Sequence, residues 1–496
     1  MRAAEQAAFA RGVRVEALMD QAGAGVARTV RQFFPTPGRC IVYAGKGHNG
    51  GDALVAAECL QRAGWKIEIE LAFPEEDCSE LTRKKLQSLR DTKTETATAK
   101  FPVAPTVSSL APLPATIILD GLLGLGAKPM LREPIRSAAR AINRRRVEQN
   151  AFVFAIDIPT GLDADSGETD PEDPIVADFT VAIGYAKYGL VVDSVLDLVG
   201  RIEVVPLADL ALGDIKPNDF LTTPRSLGSV LHRRKFGAYK NLFGRIGVVA
   251  GSEGFVGAGL MTTRGALGAG AGLVELFVPR EIYPIVAAAA PVEAMVKPVR
   301  SYRDLLDETI DVWALGPGLG KTKGRQILRL IEGSDRPMVV DADGLNILSE
   351  KVDLLQHCRG LRLLTPHPGE MKRLFDYGKM SRAGTVRHFC DKFPVTLLLK
   401  GSRTIVGERD KPLSYNSTGN PGMASGGMGD VLTGVCAALA GQGVSFYDAA
   451  RVGAWVCGRA AEIAVFNAGA SEESLLASDV LAHLGRAFND MRSSPV

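Results

Sequence analysis

The chain has 496 residues, room for two or three domains at roughly 150 residues each, which excludes a peptide ligand or a single small module. Hydrophobic residues make up 46% and charged residues 23%, the balance of a globular protein able to bury large cores. The 58 basic and 56 acidic residues leave a net charge of +2, which supplies no bulk attraction for nucleic acid or anionic membrane and points to small molecules as partners.

The seven cysteines, at 40, 59, 78, 358, 390, 436 and 457, are odd in number and show no C-x-x-C spacing. A disulfide framework and a thiolate zinc site are both disfavoured, and a cytoplasmic location is expected. The opening MRAAEQAAFARGVRVEALM mixes acids with bases and has no continuous apolar core, so no export is expected. The least polar stretch, Ile246 to Pro279, is broken by Glu253, Arg264 and Glu275 and reads as strand, loop and helix rather than a membrane span.

In chain order the first half predicts a strand at CIVYAG, a helix from Asp52 to Ala63 and a strand at KIEIELAF. A solvated helix plus loop over Glu75 to Lys100, a strand at TIILDGLLG, a helix near Pro134 to Asn143 and a strand at FVFAIDIP follow. This alternation is that of parallel α/β winding, in which polar groups collect at the C-terminal ends of the strands. From Val205 to Thr223 the pattern fades, and a boundary near Asp219 gives domains 1–218 and 219–496. A second series then runs through RIGVVAG, VELFVP, VWALGPGLG, PMVVDADGLN, LRLLTPHPGE and VTLLLKG to a long Ala/Gly-rich helix from about Asp430. The expected fold class is α/β, as two three-layer αβα domains, the first Rossmann-like. Their motif orders differ, so they are not read as an internal duplication.

In the first half, AGKGHNGGDALVAA follows a strand and opens a helix, so N–H groups around Asn49 to Asp52 can meet an anion with the help of the helix dipole. A tight turn explains the glycines equally well. Asp120 in LDGLLGLGA and Asp157 in AIDIPTGLDADSG both follow strands that would aim them at one cleft.

HNGGD, DGLLGLG and DIPTGLDADSG, in this order, resemble the NAD(P)H-hydrate epimerases over about residues 1 to 215. The resemblance implies that His48, Asn49, Gly50, Gly51 and Asp52 hold a hydrated dinucleotide. It implies a further substrate loop at Gly124, Leu125, Gly126, Ala127, Lys128, Pro129 and Met130, and a potassium ion on Asn49, Asp120 and Thr160. Asp157 would contact the altered nicotinamide ring, and we assign it the acid/base role. His48 stands in place of the customary asparagine, Ala53 of a glycine and Thr160 of a serine; the threonine keeps the hydroxyl. His48 also reads simply as a solvent-facing loop residue.

In the second half, glycines 426, 427 and 429 precede an apolar helix with Asp430 at its start. Such a loop leaves N–H groups free to cradle a phosphoryl group, and the adjacent carboxylate suits a base that takes a hydroxyl proton. The plainer reading is a helix N-cap. GSEGFVGAG, LGPGLG, VVDADGLN, LTPHPGE, LLKGSRT and GNPGMASGGMGD together resemble the ADP-dependent NAD(P)H-hydrate dehydratases, ribokinase-like proteins, over about residues 226 to 496. The resemblance implies contacts to the hydrated dinucleotide from Ala258, Gly318, His367 and Asp430, and an ADP/AMP site at Lys400, Gly401, Ser402, Arg403, Thr404 and Gly429. Met428 replaces a small hydroxyl residue, and Gly344 an alanine. Asp341 and Asp343 read either as water-mediated helpers of a Mg²⁺ ion that travels with ADP or as turn and cap residues.

Together the resemblances imply an isomerase joined to a lyase. One epimerises the R and S forms of hydrated NADH and NADPH; the other dehydrates the S form with ADP, releasing AMP and phosphate. Asp430 and Asp157 are the expected catalytic residues, K⁺ and Mg²⁺ the expected ions, and a homo-oligomer the expected assembly. The alternative is a ribokinase-like small-molecule hydroxyl kinase fused to a non-catalytic dinucleotide-binding or scaffold domain.

Overall fold

The structure, a computed structural model, describes residues 1–95, 114–210 and 218–493. The chain divides into two compact units, Met1–Lys216 and Pro217–Val496.

The strands of the first unit are β1 (Arg39–Ala44), β2 (Lys66–Leu71), β3 (Thr116–Gly121), β4 (Phe152–Ile156), β5 (Phe179–Ile183) and β6 (Arg201–Val205). All pair in parallel, in the order β2-β1-β3-β4-β5-β6. Its helices are α1 (Arg2–Ala10), α2 (Val15–Phe33), α3 (His48–Arg62), α4 (Glu80–Glu95), α5 (Ile135–Glu148) and the short α6 (Leu196–Val199). Strand alternation sends side chains to two faces. On one, Phe33 of α2 packs on Phe179, which stacks on Phe154 with centroids 4.4 Å apart. On the other, Ile41, Ile118 and Val153 pack against Ile135, Ala139 and Ile142 of α5. The strand order reverses between β1 and β3, so the crevice that a parallel sheet offers a ligand opens at their C-terminal ends.

Helix α3 begins at His48 and not at Asp52 as predicted. The low helix propensity of Gly50 and Gly51 hid the start, but their missing side chains are what allow it. A Cβ on Gly50 would lie 2.0 Å from the Gly45 carbonyl oxygen, and one on Gly51 2.4 Å from Cε of Met19. The charged stretch from Glu75 does form a helix, α4, but Thr82, Lys85, Leu86 and Leu89 are buried, so it is a packed helix and not a solvated one. Its predicted trailing loop, 96–100, lies outside the described residues.

In the second unit the strands are β7 (Asp219–Thr222), β8 (Arg245–Val249), β9 (Leu273–Pro279), β10 (Met295–Val299) and β11 (Val312–Leu315). They continue with β12 (Met338–Val340), β13 (Arg362–Leu364), β14 (Thr396–Leu399), β15 (Ile405–Glu408) and β16 (Leu413–Asn416). The sheet order is β10-β9-β8-β11-β12-β13-β14-β15-β16-β7, with β15 antiparallel to both its neighbours. The helices are α7 (Pro224–Leu227), α8 (Val256–Gly268), α9 (Tyr283–Ala289), α10 (Gly324–Gly333) and α11 (Ala342–Leu348). The last five are α12 (Pro368–Leu374), α13 (Arg382–Lys392), α14 (Met428–Gly441), α15 (Phe446–Asn467) and α16 (Ala477–Ser493).

One sheet face, including Val248, Leu276, Ala314 and Leu363, forms a large core with the apolar helices α14 and α15. The predicted single Ala/Gly-rich helix is thus two. The chain turns at Gly443, whose φ is +85°, and Ser445 starts α15 by accepting the Asp448 N–H. The order reverses again at β8 and β11, so the loops after β8, β11, β12, β13 and β14 share one edge. Among the described residues no helix is long and apolar enough to cross a membrane.

Candidate active site

In the first unit the predicted cation ligands gather around the Leu122–Leu123 turn. Asn49 donates its amide to the Leu123 carbonyl oxygen at 2.9 Å, and the Leu123 N–H donates to the Thr160 hydroxyl at 3.2 Å. The Thr160 hydroxyl donates to Asp120 Oδ1 at 2.8 Å, and the Thr160 and Leu122 N–H groups donate to the same carboxylate. Asp120 is fully buried. Burial pushes its carboxyl up to about 6, against the lowering effect of the Thr160 and Leu122 donors. No cationic side chain pairs with it among the described residues. Gly124 rests over Asn49, with its Cβ position 3.3 Å from the asparagine side chain. The predicted substrate loop then runs outward: Lys128 pairs with Asp163 at 3.1 Å, and Met130 is exposed.

His48 is exposed at the first turn of α3, whereas Ala53, where a glycine is usual, is buried against Gly121. Asp157 follows β4 with φ +70° and is buried. Its Oδ1 accepts the Ile183 N–H at 3.0 Å and the ammonium of Lys187. The carboxyl of Asp52 is raised well above its ordinary range, first by burial and then by the charge of Asp157.

In the second unit α14 starts at Gly427, in left-handed conformation with φ +88°. The first helical N–H to find an intrahelical partner is that of Val431, on the Gly427 carbonyl, so those of Met428, Gly429 and Asp430 face outward with the positive end of the helix dipole. Beneath them lies an ion pair in which Asp341 is buried and Lys400 partly buried. Lys400 donates to Asp341 Oδ1 at 2.6 Å, and Thr433 donates to Asp341 Oδ2 at 2.8 Å. A Cβ on Gly429 would stand 3.2 Å from the Lys400 ammonium and 3.3 Å from Asp341 Oδ2, so any side chain there would crowd the ion pair. Asp430 is partly buried. Burial first, then the charge of Asp341, raises its carboxyl to about 6, with Lys400 opposing. Burial alone would lower the Lys400 ammonium, but Asp341, Glu370 and Asp430 together hold it above its ordinary range.

The other predicted residues line the same sheet edge. Ala258 Cβ lies 2.9 Å from the Cβ position of Gly318, and the Cβ position of Gly316 is 1.9 Å from the Asp341 carbonyl oxygen. The exposed His367 caps α12 through Nδ1, and its own N–H donates to Glu370, whose carboxylate is 3.8 Å from Lys400. Gly401 to Thr404 form the turn between β14 and β15, with Gly401 and Ser402 exposed. Lys400, grouped by the sequence reading with that turn and with Gly429, points beneath Gly429. Asp341 does not cap α11 with its side chain, and Asp343 accepts from the Gly320 N–H at 2.9 Å and from Asn346.

Of the six non-glycine residues at positive φ among those described, Met130, Asp157, Ala342 and Arg403 lie on these site loops; such backbone persists where its surroundings over-determine it. Sequence reasoning missed Lys187, Thr433 and Glu370. Lys187 carries a faint signal, a lone cation in GYAKYG after an apolar strand; Glu370 sits within LTPHPGE; Thr433 reads as ordinary helix interior.

Removing Lys400 leaves Asp341 as an uncompensated buried charge, a loss of about 3–5 kcal/mol. Lys400→Met is therefore expected to lower the urea midpoint markedly, and Lys400→Met with Asp341→Asn to regain part of it. A double variant no more stable than the single would refute this account.

Residues 15–189 match the family profile described as YjeF-related protein N-terminus, and residues 246–483 that of NAD(P)H-hydrate dehydratase. The bifunctional NAD(P)H-hydrate repair enzyme Nnr of Moorella thermoacetica is 34% identical over 94% of this chain and 91% of its own length. Its namesake from Escherichia coli is 33% identical over 98% and 92%. The crystal structure of an ADP/ATP-dependent NAD(P)H-hydrate dehydratase from Bacillus subtilis, 26% identical, covers 55% of this chain and 99% of its own with a TM-score of 0.49. On identity that extends over nearly its whole length, the chain belongs to the family of bifunctional NAD(P)H-hydrate repair enzymes.

Proposed function

We propose that the first unit equilibrates the R and S hydrates of NADH and NADPH, and that the second dehydrates the S form with ADP, releasing AMP and phosphate. The observation that carries the second reaction is Asp430 at the opening of α14, beside outward N–H groups and above the Lys400–Asp341 pair.

Hydroxide is a poor leaving group, and phosphate a good one. Asp430 takes the proton of the C6 hydroxyl as that oxygen bonds to the β-phosphorus of ADP; the bond from that phosphorus to the bridging oxygen breaks and AMP departs. The charge on the transferring group is met by the N–H groups of Met428 to Asp430 and by Lys400. The C6–O bond then breaks with electrons from the ring nitrogen, phosphate leaves, a proton is lost from C5, and the reduced nicotinamide is restored. Ala258, Gly318 and His367 line the edge where the dinucleotide would lie, and Gly401 to Thr404 offer a turn to the nucleotide. The other epimer would aim its hydroxyl away from phosphorus and lose near-attack geometry, which gives the first unit its purpose.

Asn49, Asp120 and Thr160, with the Leu123 carbonyl, present one buried carboxylate and neutral oxygens, a donor set that fits a weakly held monovalent cation such as K⁺. When bound, K⁺ would offset repulsion between the acids and a pyrophosphate. Asp341 already holds the Lys400 ammonium on Oδ1, so that pair offers a Mg²⁺ ion no net negative charge, and Asp343 is held to Gly320 and Asn346; for both, the contact with Mg²⁺ would run through water. No step above runs through Mg²⁺.

The test is absorbance recovery. The full chain with ADP should restore all the reduced nicotinamide from a mixed-epimer hydrate, with AMP and phosphate released in equal amounts. Folded protein that instead phosphorylates a simple alcohol and leaves the hydrates unchanged would overturn the reading.

A further inference from the structure

We propose that Lys187 is a positioning residue of the epimerising site, whose ammonium clamps Oδ1 of Asp157 so that the other carboxylate oxygen is presented to substrate. The inference rests on the reading of the first unit as the epimerase and adds a residue to it.

Four connections build the clamp at the C-terminal ends of β4 and β5. The Asp157 N–H donates to the Val181 carbonyl oxygen at 2.8 Å, and Asp157 Oδ1 accepts the Ile183 N–H at 3.0 Å. Lys187 donates to that same Oδ1 and, at 2.9 Å, to the Ile183 carbonyl oxygen. Both side chains are buried, at 5% exposure for Lys187 and 9% for Asp157. Oδ2 accepts no hydrogen bond from the described residues. With φ at +70°, the Asp157 backbone departs from the course of the strand and is held there by its neighbours.

A buried ion pair of this kind is a poor device for stability, because desolvation offsets most of its attraction. Its value lies in fixing geometry: two donors on one oxygen leave the carboxylate no freedom to rotate. The pair also stands at the sheet edge shared with Asp120 and within electrostatic reach of Asp52, where a reacting group would be placed.

The test compares Lys187→Met and Lys187→Arg in the full chain, following R-to-S conversion. Dehydration of pure S hydrate, carried out by the other unit, fixes the amount of active chain, and thermal unfolding followed by circular dichroism checks that the first unit is folded. Methionine keeps the volume of the stem and removes the charge; arginine keeps charge and donors but overfills the site. Misplacement of a reacting group by about 1 Å can cost about 10²-fold, and a loss of about 10- to 100-fold is expected in kcat for Lys187→Met, with KM moved less than about threefold. Lys187→Arg is expected to be the more active of the two. A packing role predicts the reverse order, and that order, or unchanged kcat in Lys187→Met, overturns the proposal. Should Lys187→Met not fold, Lys187→Gln carries the same comparison. Wild-type chain unable to interconvert the epimers would instead refute the epimerase reading itself.

Discussion

Asp430→Asn is expected to lower kcat for ADP-dependent dehydration of the S hydrate by about 10²- to 10⁴-fold, the range for loss of a general base, and to leave R-to-S conversion unchanged. The amide keeps the shape of the side chain at the start of α14 and removes only its capacity to take a proton. The carboxyl titrates near 6 because burial and Asp341 disfavour its charge. The active form is the ionised one, so wild-type kcat should hold above that pH and decline as pH falls through it. Asp341→Asn removes a neighbouring negative charge, lowers the Asp430 carboxyl, and should carry the inflection to lower pH. Retention of more than about a tenth of the activity by Asp430→Asn would rule out the general-base role. An inflection that moved upward in Asp341→Asn would refute the electrostatic account.

The counterpart in the first unit is Asp157→Asn, for which R-to-S conversion should fall by about 10²- to 10⁴-fold while dehydration of pure S hydrate continues at the wild-type rate. Asparagine is the informative replacement because Asp157 sits at φ +70°, and asparagine tolerates left-handed backbone where alanine would add strain. Given a mixed-epimer substrate, this variant with ADP should restore reduced nicotinamide only to the extent of the S form present, plus its slow spontaneous supply. Full recovery at the wild-type rate would remove Asp157 from the reaction.

The two central carboxylates were legible because each follows a pattern with a physical cause. Asp157 ends a continuous apolar run, and Asp430 ends a glycine series that opens an apolar helix. Parallel winding was equally legible, although β5 and β6, Phe179–Ile183 and Arg201–Val205, were not singled out, because only the four-residue α6 and short turns separate them and the alternation of strand with full helix is missing there. The start of α3 was misplaced because propensity counts glycine against a helix and cannot see that Gly50 lies against Gly45. The helix from Asp430 was read too long because a polar break of a few residues between α14 and α15 interrupts the apolar pattern only briefly.

Motif and order along the chain thus determined the family, the two α/β units and the loops to which chemistry is assigned, since these depend on local periodicity and on residue types that chemistry requires at given places. Only the tertiary structure decided the partners. It turned Lys400 from the β14 turn to Asp341, brought Thr433 from a helix interior to the same carboxylate, and set Lys187 on Asp157. Those choices are made by non-local packing at the C-terminal edges of two sheets, where residues far apart in the chain compete to neutralise the same buried charge.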